Sequence, residues 1–202
     1  MPHSNSPSTI LNLFLIAVLI LAFFPNLFIG VLKLPLQLLT SSIANSALQK
    51  NHAQQAMPWS QKTILLPARS RGSYLITDTI EQNLPELRAY KIGLLNLFVQ
   101  HTSCALALNE NWDDDVRADM SDALDRMAPE DRKGNLYRHS AEGPDDMPAH
   151  IKSALIGASV TIPIRDGKLA TGTWQGIWYL EFRASKHTRK VVATIQGEKA
   201  EA

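Results

Sequence analysis

The chain has 202 residues, a length that suits one folded domain with an appendage. Its 45% hydrophobic and 19% charged residues exclude a disordered tail or a collagen-like repeat. A net charge of +1 offers no excess that would draw in nucleic acid, and a single cysteine, Cys104, excludes an intrachain disulfide framework. The charges are unevenly spread. Residues 1–56 hold no acid and only two bases, Lys33 and Lys50, so all 19 acids fall in residues 57–202.

Within that first segment, residues 10–32 are uncharged and mostly apolar, about the length a helix needs to cross a bilayer. Pro25 and Asn26 weaken its second half, since proline breaks a helix and a bare amide is costly in lipid. Three readings compete: a membrane anchor, a cleaved targeting sequence, and an extension without a role, with Met57 as the working start. If the segment inserts, Lys33 and Lys50 on its C-terminal side leave the main domain in the cytoplasm. Residues 40–56 read as a polar linker.

From residue 57 the pattern alternates strands and helices without βαβ regularity. Residues 61–66 predict a short strand, and 77–87 a weak helix capped by Thr77 or Asp78 and cut by Pro85. Residues 92–99 are almost continuously apolar, as in a strand covered on both faces, and 103–108 follow as its continuation or partner. The spacing predicts a helix over 113–127, with Val116, Met120, Leu124 and Met127 on one stripe and three aspartates at its start. A second helix is expected over 148–156, capped by Asp145 or Asp146 and closed by Gly157. Strands at 159–164 and 168–174 flank an Asp166-Gly167 hairpin turn. Two more strands, at 176–182 and 190–196, complete an α+β, β-sandwich-like domain with two or three helices. No internal repeat and no glycine-rich phosphate loop occurs.

His101, His139 and His150 sit in polar settings on different elements, and three neutral imidazoles can bind a zinc-like ion while leaving a position open. Glu142, Asp145 and Asp146 lie close enough in sequence to orient such rings. The spacings match no standard zinc motif, so each histidine has a plain loop residue as its rival reading, which His187 keeps outright. Cys104 reads as a small packing residue. If it shares a strand with His101, the odd spacing puts the two on opposite faces. Glu110, beside Asn109 at a strand end, is a candidate metal or substrate group against a helix-entry loop. Glu181 stands in an apolar strand, sharing a face with Ile177 and Tyr179, and needs a partner, for which Arg183 is nearest.

These segments resemble the YjbQ family, also called the secondary thiamine-phosphate synthase family. The resemblance runs through Trp59-Ser60-Gln61-Lys62-Thr63, Arg69-Ser70-Arg71-Gly72, Gln100-His101-Thr102-Ser103 and Leu108-Asn109-Glu110-Asn111. It is strongest in Asp145-Asp146-Met147-Pro148-Ala149-His150-Ile151-Lys152 and in Thr171-Gly172-Thr173-Trp174-Gln175-Gly176-Ile177-Trp178, with Glu181 and Arg183 following. It covers 57–202 and excludes the hydrophobic N-terminal extension.

The resemblance implies a compact trimer with a metal site at His101, His139 and His150. It implies a transferase that joins a pyrimidine diphosphate to a thiazole phosphate and releases pyrophosphate, as a secondary activity of the family. Such chemistry needs a divalent cation, zinc-like at the histidines or magnesium with the diphosphate, and basic groups around the leaving group. Glu110 and Glu181 are then the expected catalytic or orienting groups, and Asn109, Lys152, Arg183 and Arg189 the residues that hold a small phosphorylated molecule. The rival expectations are a metal- or phosphate-binding trimer without turnover and a metal-dependent hydrolase.

Overall fold

A computed structural model describes residues 7–23 and 58–200. The chain divides into two compact units, Met1–Ala56 and Met57–Ala202. The described part of the first is helix α1 (Pro7–Phe23), 17 residues that are mostly apolar without an amphipathic stripe. At 1.5 Å per residue such a helix spans about 25 Å, short of a hydrocarbon core of about 30 Å. Among the described residues no helix is long and apolar enough to cross a membrane, so the expected anchor over 10–32 gains no support. The later part of that segment and the linker 40–56 lie outside the described residues.

The second unit runs β1 (Trp59–Leu65), β2 (Gly72–Leu75), α2 (Thr77–Asn83), a 3-10 turn (Pro85–Ala89), β3 (Tyr90–Val99) and β4 (Cys104–Glu110). Then come α3 (Asp114–Met127), α4 (Asp146–Ile156), β5 (Ser159–Arg165), β6 (Lys168–Leu169), β7 (Gln175–Glu181) and β8 (Lys190–Lys199). The strands form two antiparallel sheets, ordered β1-β8-β3-β5-β6 and β2-β7-β4. The expected α+β class therefore holds.

Three layers result, because β7 is buried on both faces. Ile177 and Tyr179 join Leu95, Leu97, Ile162, Ile164 and Ile195 of the larger sheet in one core. Trp178 and Leu180 join Ala105 of β4 and pack with Leu124 of α3 and Ala149 of α4. The smaller sheet is thus the middle layer, and the site-bearing helix α4 lies against its outer side.

Several local expectations change. Residues 92–99 are not covered twice: Leu95, Leu97 and Val99 are buried, while Ile92, Leu94 and Phe98 are exposed. Thr77 does not cap α2, which starts after Ile76 with no side-chain cap. Its hydroxyl instead accepts the Ile177 backbone N–H at 2.9 Å. The expected strand 168–174 shortens to Lys168–Leu169, because 172–175 turns back through the Gln175 side chain, which accepts the Gly172 N–H at 2.8 Å. Met127 falls outside the α3 stripe and is exposed.

Other local chemistry works as the residues suggest. Asp113 caps α3 by accepting the Asp115 N–H at 2.9 Å. Asp166 and Gly167 both take positive φ, 49° and 74°, as a tight hairpin turn requires. A side chain at Gly167 would meet the Arg88 carbonyl at 2.8 Å.

Candidate metal centre

The loop from 128 to 145 is shaped by one carboxylate. Buried Asp131 accepts the backbone N–H groups of Asn135 at 2.9 Å, Leu136 at 2.8 Å and Tyr137 at 3.1 Å. This turn leads the chain to His139, which meets the first turn of α4. There Asp146 and His150, four residues apart, lie on one helix face.

The ligand atoms of His139, Asp146 and His150 all lie within 4.8 Å of one another. His139 Nε2 is 2.8 Å and His150 Nε2 3.4 Å from the same oxygen, Asp146 Oδ2. Asp146 is buried, with 1% of its side chain exposed, while His139 at 47% and His150 at 32% open toward solvent. Two imidazoles and one carboxylate suit a divalent transition ion better than magnesium or calcium, which favour all-oxygen sets.

His150 and Asp146 each have a partner outside the cluster. His150 Nδ1 lies 3.0 Å from the Thr102 carbonyl. A carbonyl only accepts, so Nδ1 carries the proton and Nε2 presents its lone pair to the cluster. Asp146 Oδ1 accepts from Arg183 Nη1, leaving Oδ2 for the histidines. Arg183 also donates to Asp145 Oδ2 at 3.0 Å and to the Glu142 carbonyl at 2.8 Å. Burial pushes the Asp145 carboxyl up, but the Ala184 N–H and the Arg183 guanidinium outweigh it and hold it below the usual carboxylate range.

His101 does not join this cluster, contrary to the expected three-histidine set. Its Nδ1 accepts the Ser103 N–H at 3.1 Å, so in the neutral ring the proton sits on Nε2, which is then a donor rather than a ligand. Desolvation, then the nearby Arg189 charge, lowers its pKa from the ordinary value and favours that neutral form. Asp146 takes the third place.

The remaining candidates are engaged elsewhere. Glu181 is buried and pairs with Arg189, not with Arg183: its oxygens accept from Arg189 Nε at 2.8 Å and Nη2 at 3.0 Å. The Tyr179 hydroxyl donates to it at 2.5 Å, and the Phe182 and Arg183 N–H groups each at 3.0 Å. A carboxylate so enclosed between the sheets is out of reach of a substrate. Arg189, also buried, is equally unavailable to a phosphate.

Lys152 is buried against Asp125 at 2.5 Å and lies over the Phe182 ring. Glu110 accepts the N–H groups of Trp112 at 3.0 Å and Asp113 at 2.8 Å, which makes it the helix-entry group of its plainer reading. Asn109 Oδ1 accepts the Glu110 N–H at 2.8 Å. Cys104 is buried and unpaired, and burial pushes its thiol up to about 12, so it is no nucleophile. His187 is not in the expected turn but in an antiparallel bridge with Arg69, exchanging backbone hydrogen bonds at 2.8 and 3.0 Å, and its Nδ1 lies 2.9 Å from the Ser185 carbonyl.

Comparison with known proteins gives a consistent family and no activity. The "UPF0047 protein YjbQ" of Escherichia coli O157:H7 is 49% identical over 140 residues, 69% of this chain and 99% of that protein. The "UPF0047 protein YugU" of Bacillus subtilis is 35% identical over 60% of this chain and 88% of that protein. A crystal structure from Sulfolobus solfataricus P2, described as a YbjQ-like protein of unknown function, superposes with a TM-score of 0.62 at 26% identity. It covers 70% of this chain and 99% of its own.

These relatives carry a family name and, in the solved case, an explicitly unknown function. The thiamine-phosphate synthase activity expected from the resemblance is therefore withdrawn, and neither the non-catalytic binding trimer nor the hydrolase is favoured in its place. The family model described as "UPF0047 protein YjbQ-like" matches residues 62–198, and with half-identical relatives spanning the same region the chain belongs to that family.

Proposed function

We propose that the unit Met57–Ala202 is a metalloenzyme domain, with a divalent transition ion held by His139, Asp146 and His150. The observation that carries this reading is the convergence of three ligand atoms within 4.8 Å. A bound ion with three protein ligands keeps open positions and supplies Lewis acidity to an oxygen-bearing substrate. The chain's own residues do the rest. The Thr102 carbonyl holds the His150 ring in its ligating tautomer, and Arg183 turns Asp146 so that one oxygen faces the cluster. His101, neutral with its proton on Nε2, serves as a hydrogen-bond donor beside the centre. The substrate class is a small oxyanion-bearing molecule, such as a phosphorylated one.

Self-association into a homotrimer belongs to the same proposal. It is supported by the outer face of the larger sheet, where Trp59, Leu65, Ile92, Leu94 and Phe98 are exposed together.

Calorimetric titration of the metal-free full chain with zinc, in two buffers of different ionisation enthalpy, tests the centre. One saturable site per chain is expected, with the ion replacing the hydrogen bond between His139 Nε2 and Asp146 Oδ2 and the two buffers reading how many protons leave with it. His150→Ala should weaken binding by about tenfold or more. Absence of a saturable site in the wild type would overturn the proposal.

A further inference from the structure

The geometry points to a second binding site, in the cleft between β2 and α3, for a small organic anion with an oxyanion head and an apolar body. The cleft has a volume of about 460 Å³ and shares no residue with the His139–Asp146–His150 cluster. Three guanidinium groups line it, from Arg69, Arg71 and Arg117, beside apolar walls that include Leu66, Tyr74 and Ile76.

The three arginines are in different states. Arg71 is committed, donating to Asp122 at 2.7 Å and Asp125 at 2.5 Å. Arg69 lies 4.9 Å above the Tyr74 ring and has no carboxylate partner among the described residues. Arg117 pairs with Asp114, whose side chain is 91% exposed. The Arg117 side chain is itself only 15% exposed, but its partner is solvated and can leave the pair for water.

The Nη1 of Arg117 is buried without an acceptor, and no other buried side-chain nitrogen or oxygen among the described residues is left so. A buried donor without a partner is unfavourable. If Arg117 turns from Asp114 into the cleft, a carboxylate or phosphate there accepts from its planar fork and removes that penalty. Arg69, already stacked and unpaired, supplies the second cation. The aromatic and aliphatic walls favour a ligand with an apolar body over a bare inorganic ion.

Titration of the full chain with benzoate, followed by calorimetry, tests this, with inorganic phosphate as a head without a body. Saturable benzoate binding, tighter than phosphate and about tenfold or more weaker in Arg117→Met and in Arg69→Met, is the expected result. His150→Ala should bind benzoate as the wild type does, which separates this site from the metal centre. Arg69→Met carries the test if Arg117→Met does not fold, since Arg69 is exposed and forms no ion pair among the described residues. No saturable benzoate binding, binding no tighter than phosphate, or binding unchanged in the folded arginine variants would overturn the proposal.

Discussion

Glu181 shows how a residue's neighbours decide its role. Its place in an apolar strand marks it as a carboxylate that needs a partner, and the period of two correctly puts it with Ile177 and Tyr179. Identifying the partner requires the third dimension, because Arg189, just before β8, approaches from the facing sheet rather than along the strand. With both ions buried, removing one leaves the other uncompensated, at a cost of about 3–5 kcal/mol. Glu181→Gln should lower unfolding stability by that order in denaturant titration while leaving metal binding intact. A loss below about 1 kcal/mol would contradict the enclosed pair. Asp145 gives a second residue-scale expectation, since its pKa is depressed in the folded chain. Its stabilising contribution is complete above the unfolded value near 4 and is lost as pH falls through the lower folded value. Asp145→Asn should therefore flatten the acid limb of stability against pH. An unchanged slope would show that the Arg183 and Ala184 contacts contribute nothing.

At the scale of elements, what the sequence made legible follows period and punctuation. The aspartate run announces the start of α3, and the Asp-Gly pair announces the β5–β6 hairpin. The face of β3 was not legible, because a continuous apolar run looks the same whether its own chain or a second copy covers it. Here one face meets the core and the other presents Ile92, Leu94 and Phe98. If this face joins copies of the chain, Leu94→Glu should lower the oligomer order in sedimentation equilibrium without unfolding the subunit. A wild-type monomer, or a variant with unchanged assembly, would contradict that role. Strand 168–174 was overread for a related reason: Thr171 and Thr173 favour a strand, while the Gln175 side chain closes a turn around Gly172.

At the scale of the whole molecule, the layered fold gathers segments that are far apart in sequence. The β3–β4 connection brings Thr102, the loop after α3 brings His139, the first turns of α4 bring Asp146 and His150, and the residues after β7 bring Arg183. Two of the three cluster residues were legible as polar-loop histidines. Asp146 was visible only as a helix-capping or ring-orienting group, although its i, i+4 relation to His150 was the signal that could have promoted it. His101 was misplaced because its tautomer depends on the Ser103 N–H, a contact that spacing does not reveal. Elemental analysis of the purified full chain, beside Asp146→Ala and His101→Ala, tests this assignment most directly. About one transition-metal ion per chain is expected in the wild type and in His101→Ala, and none in Asp146→Ala. Metal absent from the wild type, or kept by Asp146→Ala and lost from His101→Ala, would contradict it.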